Sequence, residues 1–263
     1  MSALRLYGHY ARISVRAQLA YPGSAALLML GQVLNASAMF AGVWSRFDRF
    51  GDLRGYRLAE VALFYGFVNA VFSMADAISR GFDVFGPEYV KTGEFDRLLL
   101  RPRSTLLQLF GHEIRLSRFG RLVQSGFVIA LVDLPWSPVG ALVFLFAFAG
   151  GVALFCGILI MQATLSFWTI ETLEVVNVIS YGGVEAAQYP LNVYGTWLRR
   201  FLTFGVPIAA VSYYPLLTVL GREDPLGAPS WLGYVSPLAG FLFFGIAALL
   251  WRIGVRRYTS TGS

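Results

Sequence analysis

The sequence predicts an all-α polytopic membrane protein with six transmembrane helices preceded by an amphipathic interfacial helix. Three observations carry this expectation. The 263 residues are 56% hydrophobic and only 14% charged, with a mean hydropathy of +0.60, which departs from soluble averages towards the apolar. Apolar runs recur at the roughly 20-residue length that a helix needs to cross a hydrocarbon core of about 30 Å. Between the second and third runs the pattern breaks into "EYVKTGEFDRLLLRPRS", residues 88–104, a concentration of charge that lipid cannot hold.

Residues 1–263 read as one transmembrane domain. In the first 23 residues, Arg5, His9, Arg12 and Arg16 form one helical stripe and Leu6, Tyr10, Ile13 and Ala17 the neighbouring one, a spacing that predicts a helix lying along the membrane surface. Tyr21, Pro22 and Gly23 end it. The arginines ahead of an apolar run reaching "ASA" at 36–38 resemble a cleavable leader, but the basic stretch is long for one and the expectation is an uncleaved first span. The spans are expected at about 24–44, 58–78, 121–135, 139–167, 201–220 and 232–251, with Pro207 and Pro215 bending the fifth. Segment 171–198 is mixed, and its "EAAQYP" fits either a surface helix or a re-entrant piece.

An even span number puts both termini on one side. A cytoplasmic N-terminus leaves only Arg46, Arg49, Arg54, Arg57 and Arg222 of the 21 basic residues outside, in line with the positive-inside tendency. The 45–57 loop, with four of these arginines, is the awkward element. Basic residues placed this way answer to the membrane, and nucleic acid is not an expected partner.

Catalytic chemistry lacks its residues. Both histidines, His9 and His112, fall in predicted cytoplasmic segments, so neither a Ser/His dyad nor a histidine metal site forms at membrane depth. "GPEYVKT" differs from a phosphate-binding loop in the position of its lysine, lacks the glycine before it and follows no predicted strand. Cys156 is the single cysteine, which excludes an intramolecular disulfide. No cofactor is expected in this chain. Asp76 and Asp133 read as solvated span ends, and Glu171 and Glu174 as a solvated helix end with a contact to a partner subunit as the alternative. Ala149, Ala153 and Gly157 make a close-packing stripe. Asn35 and Asn69 are the deep polar residues and the candidate substrate pathway.

Segment 79–120 is expected to stand in the cytoplasm. Glu88 suits a helix N-terminus, and a helix from there towards Leu100, stopped by Pro102 and weakened at Gly93, would carry Val90, Phe95, Leu98 and Leu99 as apolar knobs among charges. Such a surface fits docking on another protein or packing back on the bundle.

The run Lys91, Gly93, Glu94, Phe95, Asp96, Leu98, Leu99, Arg101, Pro102 and Ser104 resembles the "G-x-x-[DE]-x-LL-x-x-P-x-S" pattern of ABC-2 type transporter permeases, particularly small six-span bacterial subunits that work with a second permease and a separate ATPase. The resemblance implies a coupling helix centred on Glu88 to Pro102 that enters a cleft of an ABC ATPase subunit. Phe95, Leu98 and Leu99 would be its anchors, and Asp96, Arg97 and Arg101 its charged partners. It further implies export across the bacterial inner membrane, with both termini cytoplasmic, a second permease half, identical or related, and ATP with magnesium held by the ATPase. In many such permeases helices between the fifth and sixth spans dip into the outer leaflet, for which 221–231 is short. A self-contained secondary transporter or channel is the competing expectation, resting on Asn35, Asn69 and the proline-bent fifth span.

Overall fold

Apolar side chains over more than five helical turns at a time dictate the architecture, because a backbone in hydrocarbon must satisfy its polar groups internally. The computed structural model describes residues 3–133, 136–169 and 173–259, and within them it is helical with one isolated bridge, Leu53 to Tyr56. The helices are α1 (Ala3–Leu19), α2 (Pro22–Phe50), α3 (Leu58–Ile78), α4 (Arg80–Asp83), α5 (Glu94–Leu99), α6 (Thr105–Phe110), α7 (Arg118–Ala130), α8 (Pro138–Leu165), α9 (Leu173–Ala187), α10 (Thr196–Arg200), α11 (Ile208–Val211), α12 (Tyr213–Leu220), α13 (Leu232–Val235) and α14 (Leu238–Arg257). Wider π turns cover Phe85–Val90 and Phe201–Gly205. Four of the helical stretches, Pro22–Arg49, Leu58–Ile78, Pro138–Leu165 and Leu232–Arg257, are long and apolar enough to cross a membrane.

Helix α3 is the centre. Phe64, Phe67, Phe72 and their neighbours are buried on every side, with Phe67 edge-on to Phe144 and Phe72 edge-on to Phe155 of α8. Helix α8 starts where Ser137 accepts a hydrogen bond from the Gly140 N–H at 2.9 Å and Pro138 fills the first turn, a start chemistry legible in the sequence. Helices α8 and α14 cross where both lack a side chain: a Cβ on Gly240 would stand 2.0 Å from the Gly150 carbonyl oxygen, and one on Gly150 would stand 2.5 Å from that of Pro237. Of the expected packing stripe, Gly157 meets Phe243 and Phe244 of α14, but the closest approach belongs to Gly150.

The expected first span ends too early. Helix α2 continues to Phe50 and stops at Gly51, whose positive φ of 75° lets its N–H return to the Phe47 carbonyl at 2.8 Å. The expected third span, 121–135, is cut short: α7 has 13 residues, about 20 Å at 1.5 Å per residue. It is still held in the apolar layer, with Ser125 and Ile129 against Gly66 of α3 and Gly120 against Met29 of α2.

The fifth expected span, 201–220, is bent at Pro207, as expected of that proline, and is not one straight helix. Residues 196–205 and 208–220 form a helix pair bent by 72° at Val206 and Pro207. Both ends of the pair return to one loop. Before it, the Arg54 guanidinium donates to the Asn192 carbonyl at 2.8 Å; after it, Arg222 donates to the Gly55 carbonyl at 3.1 Å and pairs with Glu60 at 2.8 Å. Asn192 before the bent pair and Arg222 after it thus meet the same loop, and α9 packs against α3, with Tyr181 edge-on to Phe72 at 5.4 Å. The same contacts explain the awkward arginines: Arg46 bonds the Tyr189 hydroxyl at 2.9 Å, Arg54 holds the Asn192 carbonyl before the bent pair, and Arg222 lies 4.4 Å over the Tyr56 ring after it.

The Gly150 crossing is testable. Gly150→Val should destabilise the detergent-solubilised chain by about 1–3 kcal/mol, the cost of overpacking, and lower its thermal midpoint. Gly245→Ala, where nothing stands within 4 Å of the added carbon, should melt like the wild type.

Candidate functional site: the charged segment between α3 and α7

Gly93 decides the local structure. Its φ of 71° is left-handed backbone that side chains other than glycine's adopt at a cost, and it divides the expected single helix from Glu88 to Leu100 into the π turn Phe85–Val90 and the six-residue α5. Glu88 therefore does not start a helix; it is exposed inside the first piece, 3.8 Å from His112 Nε2. The acidic residues that meet a helix N-terminus are Glu94 and Asp96. Helix α5 stops at Leu99, and Pro102 follows on an exposed bend.

A six-residue helix is not stable alone, and aromatic packing supplies what it lacks. Phe95, with 0% of its surface exposed, is edge-on to Phe85 and to Tyr258, each at 5.0 Å, and lies 5.5 Å from Phe167. Trp251 completes the cluster at 4.9 Å from Phe85, and its indole N–H donates to Thr105 Oγ1 at 2.9 Å. Leu98 is buried beside them. Phe95 and Leu98, expected as anchors on an ATPase, are thus anchors of the chain's own fold, joining α5 to the ends of α8 and α14.

The outward face of α5 is different. Leu99 is 42% exposed and Leu100, just past the helix end, 85% exposed. Lys91, Arg97 and Arg101 are exposed cations of the same segment, and Asp96 is half-buried. Arg97 pairs with Glu94 at 2.8 Å on the open surface, a contact worth little in stability.

Helix α1 is clamped to the same segment. Ser14 Oγ accepts from the Ile114 N–H at 2.8 Å, Gln18 Oε1 accepts from the Leu116 N–H at 3.0 Å, and the Gln18 amide donates to the Ile114 carbonyl. The Tyr10 ring lies flat on Gly111, where an added Cβ would strike it. Tyr89 faces α1 from the π turn with its hydroxyl 2.7 Å from His112 Nδ1. Burial, then the charge of Glu88, pushes its phenol up to about 12, so it stays neutral at physiological pH.

Asp76 is not a solvated span end. It is 3% exposed, and its Oδ2 stands 2.7 Å from Arg118 Nε, an ion pair joining the end of α3 to the start of α7. Asp133 is exposed, as expected. Asn69 is buried and donates its amide to the Tyr65 carbonyl one turn back in its own helix at 2.9 Å, while Asn35 is on the exposed face of α2. The two do not converge. Glu171 and the Glu174 side chain lie outside the described residues.

Sequence reasoning missed the cluster's distant members, Phe167, Trp251 and Tyr258, and the clamp residues Ser14 and Gln18. Aromatic residues at the same end of three apolar runs were a weak signal for the first group; the second had none.

Comparison with known proteins gives one match. No curated protein and no solved structure matches the chain. A family model described as ABC-2 family transporter protein matches residues 33–262. The match takes in α3 to α14 with most of α2, and the charged segment between α3 and α7 lies inside it: the chain belongs to the ABC-2 transporter family, as a multi-pass membrane component.

Proposed function

We propose that this chain is one membrane-spanning half of an ATP-driven exporter in the bacterial inner membrane, moved by a separate ABC ATPase that holds the ATP and magnesium. The observation that carries the reading is the two-sidedness of α5. One face is locked by Phe95 into the aromatic cluster with α8 and α14, while Leu99 and Leu100 are exposed in a segment that also exposes Lys91, Arg97 and Arg101. Exposed apolar residues in a charged segment fit a docking element. Rigid attachment behind it is what a lever requires.

In this reading the membrane is crossed six times, by α2, α3, α7, α8, α9 and the α13–α14 stretch, with both termini and segment 79–120 in the cytoplasm. Residues 196–220 dip in from the opposite side and return. The apolar face of α2, exposed at Leu27, Leu28, Leu30 and Leu34, is where the second permease half and lipid meet the chain. Closure of two ATPase subunits on ATP pushes α5. The push passes through Phe95 to Phe167 and Trp251, and the halves exchange inward-facing and outward-facing states. Export is the direction the family resemblance implies. A gradient-driven transporter would need polar groups converging at mid-depth, and neither the exposed Asn35 nor the self-satisfied Asn69 supplies them.

Two outcomes are expected. Leu99→Asp with Leu100→Asp should abolish co-purification of the ATPase from the native host while leaving the amount and melting temperature of the chain unchanged. Phe95→Ala should instead destabilise the chain by about 3–5 kcal/mol, as aromatic truncations in cores do. An ATPase that still accompanies the double aspartate variant would remove α5 as the docking element. For the topology, a Cys156→Ser background with single cysteines at Thr196, Ser230 or Ser104 should react with an impermeant maleimide from the periplasmic side at the first two positions and from the cytoplasm at Ser104. Labelling of Thr196 and Ser230 from opposite sides would restore 201–220 as a span.

A further inference from the structure

A cavity of about 650 Å³ opens between the end of α2, the 51–57 loop and the turn after α9, at the end of α3 remote from the charged segment. That volume lies within the roughly 300–1,000 Å³ of small-ligand pockets. Phe47, Leu53, Val193 and Tyr194 supply its apolar lining, and Arg46, Asp52 and Tyr189 its polar groups. The walls are tied in place. Arg54 donates to the Asn192 carbonyl at 2.8 Å, fastening the loop to the turn, and the Tyr194 hydroxyl donates to the Ala186 carbonyl at 2.8 Å. The cavity is therefore formed before any ligand arrives, as small-molecule sites usually are.

Two of the lining groups are held against each other. The Arg46 guanidinium donates to the Tyr189 hydroxyl at 2.9 Å, with its carbon 5.9 Å from the centre of the Tyr189 ring. That bond uses the phenol oxygen as an acceptor and leaves the phenol proton without an acceptor among the described residues. Among the same residues Arg46 makes no ion pair, although Asp48 and Asp52 follow it in the chain. A guanidinium and the phenol it polarises thus offer donors one hydrogen bond apart, on the wall of an apolar cavity, with no anion to receive them. Charge-assisted bonds to such a pair are about twice as strong as neutral ones. Asp52 accepts the Gly55 N–H at 3.2 Å and lines the same cavity, so its charge opposes a second negative charge on a ligand.

We infer that the cavity binds an amphipathic organic monoanion, its acid group on Arg46 and Tyr189 and its aryl or alkyl body against Phe47, Leu53, Val193 and Tyr194. A cation would be repelled by Arg46 and leave both donors unmet. A neutral apolar molecule would gain the same walls without the charge. Free organic acids and anionic lipids share the required chemistry, and the test separates them.

That test needs neither an ATPase nor transport, so its outcome is separate from that of the exporter reading. The full-length chain in nonionic detergent is dialysed to equilibrium against 2-naphthoate, the neutral 2-naphthamide or the cation 2-naphthylmethylammonium, with chain-free micelles of the same composition as the blank. Wild type should bind 2-naphthoate about ten-fold more tightly than the amide or the cation. Arg46→Gln should raise the half-saturating concentration of 2-naphthoate about ten-fold and Tyr189→Phe about five-fold, the losses of a charged and a neutral hydrogen bond, with melting temperatures unchanged. Arg49→Gln removes the same charge from an exposed residue outside the cavity and should bind as wild type. Displacement of 2-naphthoate by phosphatidylglycerol in the micelles, where phosphatidylcholine displaces none, would assign the site to a lipid; retention in the presence of both would assign it to a free acid. Equal binding of the amide, or 2-naphthoate binding that Arg46→Gln leaves unchanged or that Arg49→Gln weakens as much, would overturn the proposal.

Discussion

The ring of Phe95 touches three parts of the chain that are far apart in sequence: Phe85 in the π turn after α4, Phe167 beyond the end of α8, and Tyr258 at the end of α14. Much of the architecture at this end of the bundle follows from that convergence. Helix α5 is too short to persist by its own hydrogen bonds, and Gly93 cuts it off from the turn before it. Edge-to-face contacts add about 0.5–1.5 kcal/mol each beyond area burial, and this cluster has several. The segment is charged on its surface and aromatic beneath, so it can stand in water while remaining part of the apolar layer.

Three of the long apolar helices, α3, α8 and α14, were legible in the sequence because they rest on composition over many residues, which no single contact overrides. The segment's charge density and the Gly93 break were visible too, although the break was read as a weak point within one helix when it is a division. What sequence could not show was which way Phe95 and Leu98 face. On an isolated helix, apolar residues among charges fit an external partner and the chain's own underside equally well. The choice is made by Phe167, Trp251 and Tyr258, more than 70 positions downstream. Leu99 and Leu100 are the leucines left exposed on the outside of the segment.

The break in 201–220 has another physical basis. Residues 201–220 are apolar enough and about long enough to cross, and hydropathy is blind to where a segment's ends go. Arg54 and Arg222 hold that information. They sit in two different loops where the positive-inside tendency would not place them, and each makes a fixed contact: Arg54 donates to the Asn192 carbonyl before the bent pair, and Arg222 pairs with Glu60 after it. Helix α9 was obscured because Glu185, Gly182 and Gly183 dilute its apolar pattern, and because it needs α3 and α8 beside it to be read as part of the bundle.

In the proposed function α5 is a lever whose handle is Leu99 with Leu100 just past the helix end. Its root is the full burial of Phe95, its ring contacts and the Leu98 packing, and truncating a buried phenylalanine alone costs about 3–5 kcal/mol. In that reading a push on the leucines passes to α8 and α14 along the ring contacts of Phe95. Those two helices meet at Gly150 and Gly240 with no side chain between their backbones, an arrangement that leaves no soft layer to absorb a displacement. The glycine crossing and the aromatic cluster are then two ends of one stiff path, running from the docking surface to the level at which Val211 of α11 rests against Gly240.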